Sequence, residues 1–189
     1  MSRKNQRRAA APQPSSLTTQ ARFEALLRRG TELLQGGRAQ EAIHPLELAH
    51  QLHPDDPHAA HNLSSAYLLS GRFKKALPLL QQLLAADPEN AQLWLNRGAA
   101  ALGNPVLATD EQQREAIAAF MKALELDPAI PNAAYNIGLI YRDRGETVQA
   151  ITWFQRAIQT NPHDTDAQKM IARLQQAQLV EDQDDQEEE

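Results

Sequence analysis

Apolar residues recur along the chain at the spacing of amphipathic helices, and prolines interrupt that pattern at regular places. The stretch 153–158 shows the helical spacing, with apolar residues that share one face. Four prolines each follow such a run: Pro54, Pro88, Pro128 and Pro162. A proline pushes the residue before it out of the helical region, so each of the four predicts a helix end.

Two further series keep the register of these prolines, which are spaced by 34, 40 and 34 residues. Small residues stand at Gly30, Ser64, Gly98 and Gly138. Alanines stand at Ala42, Ala76, Ala116 and Ala150. Because the three series agree, they predict a 34-residue unit that occurs four times. They also place six extra residues between Gly98 and Ala116.

Each unit is predicted to be a pair of antiparallel helices. The small residue on the first helix and the alanine on the second let the two helices approach closely, and a larger residue there would cost about 1–3 kcal/mol. Gly37, Gly71 and Gly145 mark the turn between the helices of their units. A lone helix pair cannot bury its apolar face, so the units are expected to stack.

On these residues the chain resembles the tetratricopeptide repeat family. The fourth unit carries the family pattern from Ile137-Gly138 and Tyr141 through Phe154 to Pro162. Arg29 and Arg97 depart from it, because the family usually has leucine there. The resemblance implies an all-α protein, a right-handed α-solenoid of four helix pairs with a C-terminal capping helix.

The expected domain boundaries follow from this register. We expect a disordered basic arm over residues 1–20, the solenoid over 21–179 and a disordered acidic tail over 180–189. The units are predicted at about 23–56, 57–90, 91–130 and 131–164, and the capping helix at 165–178. That helix has an apolar stripe for packing on the last unit: Ala167, Met170, Ile171 and Leu174.

Charge is unevenly distributed in this 189-residue chain of net charge −5. Residues 1–20 carry +4 and residues 181–189 carry −7. Neither end has the apolar surface that would offset the entropy of ordering it. Four basic charges without interleaved aromatic residues do not predict specific nucleic-acid binding.

The residue inventory argues against several classes of function. The chain has no cysteine, which excludes disulfides, cysteine nucleophiles and thiolate metal sites and is compatible with a reducing compartment. There is no glycine-rich phosphate loop and no Ser/His/Asp arrangement. We therefore expect no enzyme and no cofactor. No apolar run is long enough to span a membrane, so we expect a cytoplasmic protein, or an organellar one after removal of the basic arm.

Histidines cluster in the first two units, and His163 stands apart. The cluster comprises His44, His50, His53, His58 and His61. The Pro54–Pro57 break places these residues on two helices and a connector, without cysteine and without an H-E-x-x-H motif. We expect surface or groove histidines and no metal site.

The resemblance implies a concave surface that is lined by the first helix of each pair and holds a peptide or a partner protein. Asn62, Asn96 and Asn136 stand at equivalent places on that surface, and their amides can bond a peptide backbone whatever its side chains are. Asparagine is also common at this position in the family, so the alternative is that the row belongs to the repeat structure itself. The candidate binding residues are Leu27, Thr31, His61, Asn62, Ser65, Leu95, Asn96, Tyr135, Asn136, Leu139 and Arg142.

The predicted partner is a peptide or protein, bound by a monomer or weak oligomer. The alternative function is a self-associating scaffold, in which exposed end units stack between chains. Chaperone adaptors of the family grip a C-terminal carboxylate with Lys or Arg, but the matching places here hold Leu27, Thr31, Gln92 and Asn96. A carboxylate without a cation binds weakly, which argues against such a ligand.

The six extra residues fall in the stretch 103–110, where Thr109 or Asp110 can cap the next helix. Val106 and Leu107 are apolar residues in this loop. Two interpretations stay open. The pair either folds back onto the neighbouring helices or forms a contact loop, since insertions in repeat arrays often touch partners.

Overall fold

The computed structural model describes residues 18–187 of the chain, and its side chains as far as Val180. These residues form nine α-helices and a short 3₁₀ turn, Pro105–Leu107, and contain no strand. The helices are α1 (Thr19–Gln35), α2 (Ala39–Leu52), α3 (Pro57–Leu69), α4 (Phe73–Ala86), α5 (Ala91–Leu102), α6 (Asp110–Leu126), α7 (Ala133–Asp143), α8 (Thr147–Thr160) and α9 (Thr165–Glu187). The predicted basic arm lies outside this range, apart from residues 18–20.

Consecutive helices pack against each other along the whole array. Helices α1 to α8 form four antiparallel pairs, and α9 packs on α8 as the capping helix. This arrangement confirms the all-α, right-handed α-solenoid of four helix pairs. Within the described residues, no helix combines the length and the apolar character that crossing a membrane requires.

The prolines and glycines predicted to interrupt the helices do so. The residue before each proline is the C-cap of the second helix in its pair: His53, Asp87, Asp127 and Asn161. All four have an extended φ between −132° and −137°, which breaks the helical path. Gly37, Gly71 and Gly145 adopt φ values of 71°, 69° and 74° in the turns between paired helices.

The small residue of each first helix lies against a large residue of the second. A Cβ atom added to Gly98 would come within 2.5 Å of the Phe120 ring, and one added to Gly138 within 2.8 Å of Phe154. Phe120 and Phe154 are fully buried, so neither ring has free space into which to move. The glycines therefore set the distance between the paired helices.

The insertion of unit three divides into a helical turn and a loop. Helix α6 begins at Asp110, about one turn earlier in the repeat register than its counterparts. Thr109 caps it through a reciprocal pair of bonds: its hydroxyl accepts from the Gln112 N–H at 3.3 Å, and the Gln112 side chain accepts from the Thr109 N–H at 2.9 Å. This confirms a cap at Thr109.

Val106 and Leu107 point into solvent, with 89% and 76% of their surfaces exposed. The interpretation that they fold back onto the helices is therefore wrong. The physical reason lies in the loop itself, because Gly103 redirects the chain at φ 64° and the Asn104 side chain accepts from the Val106 N–H at 3.1 Å. These bonds close a local 3₁₀ turn that leaves both apolar side chains outside.

Helix α9 buries the predicted stripe but extends beyond its predicted end. Ala167 is fully buried, and the rest of the stripe packs against the core: Met170, Ile171 and Leu174. The helix continues to Glu187, which corrects the predicted end at residue 178 and the disordered tail from residue 180. No glycine or proline interrupts this stretch, and its glutamine, leucine and glutamate residues are good helix formers.

Candidate partner-binding groove

The first helices of the four pairs, α1, α3, α5 and α7, carry the predicted groove residues in repeat register. Asn62 on α3, Asn96 on α5 and Asn136 on α7 occupy the same position of three successive repeat units, and each is half-buried. A half-buried amide keeps part of its hydrogen-bonding capacity accessible from the groove. The repeat register therefore gives the three amides equivalent positions on α3, α5 and α7, but they differ in what they already bind.

Asn62 is tied to the neighbouring unit. Its side-chain N–H donates to the Thr31 hydroxyl at 2.8 Å, and that hydroxyl donates to the Leu27 carbonyl at 2.8 Å. Such a bond between helices contributes about 0.5–1.5 kcal/mol. Asn62 and Thr31 therefore join units one and two, in addition to any role in binding.

Asn96 and Asn136 lack such a tie between units. The Asn96 side-chain carbonyl accepts from Gln92 at 3.0 Å, one turn earlier on the same exposed helix face. No side-chain hydrogen bond joins Asn136 to another of the described residues. Binding a ligand backbone would therefore break no contact between units at Asn96 or Asn136, whereas at Asn62 it would compete with the bond to Thr31.

The other predicted groove positions divide into accessible and buried ones. Leu27, His61, Ser65 and Leu139 are half-buried on the first helices, as the prediction requires. Leu95 is only 9% exposed and belongs to the core around Phe120 and Phe154. Its assignment to the groove is corrected: the residue supports the groove from below and does not offer a contact surface.

Tyr135 and Arg142 of α7 lie next to the capping helix α9. The Tyr135 ring packs on Phe154 with a centroid distance of 5.3 Å, and burial, followed by the carboxylates of Asp166 and Asp164, raises the pKa of its hydroxyl. The Arg142 guanidinium donates to Asp143 at 2.8 Å and contacts the Met170 sulfur at 3.6 Å. Both side chains are partly engaged by their neighbours.

Sequence reasoning missed one residue of the row. Arg28 precedes Asn62 by 34 residues and is exposed on α1, so it occupies the same register position in the first unit. The 34-residue spacing pointed to this position, but a search for asparagine did not find it because the first unit has arginine there. Arg28 supplies a cation at the end of the amide row.

The histidines take different positions. Within the described residues, no group of three or more His, Asp or Glu side chains is arranged to hold a metal ion. His53 packs its ring against Phe23 at a centroid distance of 4.5 Å. His61 lies in the groove, and its backbone carbonyl accepts from the buried Ser64 hydroxyl at 2.8 Å. Within the cluster, His53 therefore packs, His61 lies on the face of the first helices, and His44 and His58 are exposed.

Two family models described as tetratricopeptide repeat match residues 33–102 and 105–165, which together cover most of the solenoid. The chain belongs to the tetratricopeptide repeat family. Proteins with this fold typically mediate protein–protein interactions, and the repeat itself is generally not an enzyme. The family therefore agrees with the prediction at the level of fold and general role.

Relatives share the repeat within much longer proteins. Superkiller protein 3 of Schizosaccharomyces pombe is 26% identical over 158 residues, which cover 80% of this chain and 11% of the relative. The peroxisomal targeting signal receptor of Kluyveromyces lactis is 29% identical over 94 residues, covering 50% of this chain and 16% of the receptor. The chain thus spans less than a fifth of the length of these relatives.

Solved tetratricopeptide repeat structures resemble the chain over most of its length. A MamA fragment of Desulfovibrio magneticus RS-1 superimposes with a TM-score of 0.66 at 25% identity, covering 75% of this chain and 77% of the fragment. The Pseudomonas aeruginosa pilF structure gives 0.66 at 22% identity, covering 86% of this chain and 71% of pilF. At such identity the pilF likeness shows the fold alone.

Proposed function

We propose that this chain is a non-enzymatic interaction module that binds a peptide or partner protein in the groove of its first helices. The observation that carries the proposal is the row of half-buried amides at Asn62, Asn96 and Asn136, which continues to Arg28 on α1. An amide offers both a donor and an acceptor, as a peptide backbone does. A row of amides on successive helices therefore suits an extended chain.

The groove has two chemically different ends. Arg28 gives the α1 end a positive charge, whereas Tyr135 and Leu139 give the α7 end an aromatic and an aliphatic surface. A carboxylate near Arg28 and an apolar side chain near Tyr135 would satisfy both ends. The ligand we propose is an extended segment with an acidic residue toward one end and an apolar residue toward the other.

The relatives support recognition of a protein segment. The peroxisomal targeting signal receptor is, by its name, a receptor for a targeting signal, and half of this chain aligns with it. By analogy, we propose an adaptor role in which the solenoid holds a segment of another protein. We propose a cytoplasmic location for this adaptor, with which a cysteine-free sequence is compatible.

Replacing all three asparagines by alanine tests the proposal. We expect the N62A/N96A/N136A variant to weaken partner capture at least about tenfold, because each lost bond contributes about 0.5–1.5 kcal/mol. The measurement is quantitative affinity capture from native lysate, followed by titration of the recovered partner. Far-ultraviolet circular dichroism checks that the helices are intact.

Two further variants make the result specific. Thr31→Val removes the hydroxyl that receives the Asn62 bond but leaves all three amides in place. Because Thr31 is itself a candidate groove residue, this variant separates the hydroxyl from the amides and is not the control. Q81A/Q155A truncates two exposed side chains on the second helices, is the control variant and should leave capture unchanged. Undiminished capture by the triple variant, or an equal loss with Q81A/Q155A, would contradict the proposal.

A further inference from the structure

A cavity opens at the edge of the solenoid where paired helices turn, between units two and three. Its apolar lining comes from Phe73 and Leu77 on α4 and from Ala100 and Ala101 on α5. Gly103 and Asn104, which begin the insertion, form part of its rim. This cavity lies away from the groove row, since it is lined by none of the predicted groove residues.

The α4 wall of this cavity is basic. Arg72, Lys74 and Lys75 line it, and α4 contains no aspartate or glutamate. Glu47 lies 3.4 Å from Lys75, and the charge of Arg72 also acts on this carboxylate and lowers its pKa. The opposite wall carries a single carboxylate, Glu115. Three cations against these two carboxylates leave the wall positive, so it attracts a negatively charged segment.

The insertion that begins at the rim of this cavity carries two uncovered apolar side chains. Val106 and Leu107 come two and three residues after the rim residue Asn104 and are 89% and 76% exposed. The corresponding turns of the other three units are short and centre on a glycine. Among the described turns between paired helices, only that of unit three carries an insertion with two strongly exposed apolar residues.

The end of α9 has the complementary chemistry. Leu179 and Val180 are 63% and 50% exposed, and residues 181–189 carry a charge of −7. Seven large apolar residues are strongly exposed in the described part of the chain, and four of them belong to the insertion and the end of α9. Because consecutive helices alternate in direction, α9 ends at the same edge of the solenoid at which the cavity opens.

We propose that this cavity receives the C-terminal segment 179–189 of a second copy of the chain. Within one chain the segment leaves from α9, beyond unit four, and the helix continues to Glu187, which carries the segment away from unit three. In a two-fold pair each copy offers one cavity and one segment, so the contact is reciprocal and the assembly closes. This surface differs from the end units.

Sedimentation of the full chain tests the proposal. We expect a concentration-dependent dimer at about 50 mM salt whose dissociation constant rises at least about tenfold at about 500 mM, because seven carboxylates meet a basic wall. A chain that remains monomeric at about 500 μM in low salt overturns the proposal.

Variants on both sides of the contact locate the interface. V106S/L107S, L179S/V180S and R72E/K74E should each raise the dissociation constant at least about tenfold. R22E/R29E makes the same change of net charge at two exposed positions of α1 and should change it less than about twofold. Equal losses in R72E/K74E and R22E/R29E would attribute the effect to net charge and overturn the proposal.

A synthetic peptide of residues 177–189 identifies the occupant. We expect the labelled peptide to bind the chain in low salt, to dissociate the dimer and to lose affinity for V106S/L107S. A dimer that the peptide does not dissociate uses another surface, such as the end units, and overturns the proposal. N62A/N96A/N136A should dimerise normally, so failure of this proposal and failure of the groove proposal remain distinguishable.

Discussion

The first two units and the last two units share one repeat pattern but fill it with different side chains. In units three and four the rings of Phe120 and Phe154 cover Gly98 and Gly138. In units one and two leucines occupy the equivalent places on the second helices: Leu46 and Leu80. Leu46 covers Gly30, with a hypothetical Cβ within 2.4 Å of its side chain.

Unit two combines a leucine, Leu80, with a small residue other than glycine. Ser64 takes the place of the glycine, and it is fully buried although it has a Cβ and a hydroxyl. Ser64 and Leu80 hold in unit two the positions that Gly98 and Phe120 hold in unit three. A leucine does not make room for a Cβ by itself, since a Cβ added to Gly30 would come within 2.4 Å of Leu46. The two residues of a unit are therefore matched to each other as a pair.

The largest expected effect comes from emptying the space under a ring. Phe120→Ala should lower the free energy of unfolding by about 3–5 kcal/mol, because it removes a fully buried ring and leaves a cavity next to Gly98. Urea denaturation followed by circular dichroism measures the change. A loss below about 1 kcal/mol would show that the helices close over the cavity.

The next effect tests the pairing itself. Gly98→Ser should cost about 1–3 kcal/mol, since its Cβ would meet Phe120 at 2.5 Å. Phe120→Leu in the same chain recreates the serine–leucine pair of unit two, so the double variant should be more stable than the sum of the two single changes predicts. Additive single effects in this double-mutant cycle would contradict the pairing.

A smaller effect concerns the polar contact between units one and two. The Tyr67 hydroxyl donates to the Glu47 carboxylate at 2.6 Å and holds the pKa of that carboxyl below its ordinary value of 4.5. Tyr67→Phe should cost about 1 kcal/mol at pH 7, an estimate that allows for partial exposure of the pair.

The pH dependence of that effect has a definite sign. Because the folded-state pKa of Glu47 is lowered, the stabilisation is present above the unfolded pKa and is lost as the pH falls through the folded pKa. The cost of Tyr67→Phe, measured by urea denaturation, should therefore shrink below pH 4.5. A cost that grows as the pH falls would contradict this assignment.

The smallest expected effect comes from Ser64→Ala. The hydroxyl donates to the His61 carbonyl of its own helix, and alanine keeps the Cβ of the serine. The change should cost about 0.5 kcal/mol, measured by the shift in the urea midpoint. A cost comparable to that of Gly98→Ser would mean that the hydroxyl, and not the volume of the pair, governs unit two.

The fold was largely predictable because its signals are local. The series of prolines, small residues and alanines each report a backbone or contact requirement that repeats every 34 residues. The end of α9 was not predictable in this way, since no residue marks it and Glu187 lies far past the last apolar residue. The left-handed φ of 67° at Asn132 was not predicted either, because asparagine tolerates this conformation without requiring it.

The candidate site was predictable in register but not in detail. The repeat spacing places Asn96 and Asn136 on one face, yet it does not tell which amide is already bonded. The Asn62–Thr31 bond and the burial of Leu95 depend on the neighbouring helix, which the pattern of a single unit does not contain. Val106 and Leu107 illustrate the same limit, because apolar character alone does not decide whether a loop residue is covered.

Site-specific photocrosslinking tests whether partners bind the face of the first helices. A photoreactive residue replaces His61 on α3 in one variant and exposed Gln81 on α4 in another. The account predicts crosslinks to a defined partner segment from position 61, lost in the N96A/N136A background, and none from position 81. Crosslinks from position 81 of equal yield, or crosslinks from position 61 that survive N96A/N136A unchanged, would contradict it.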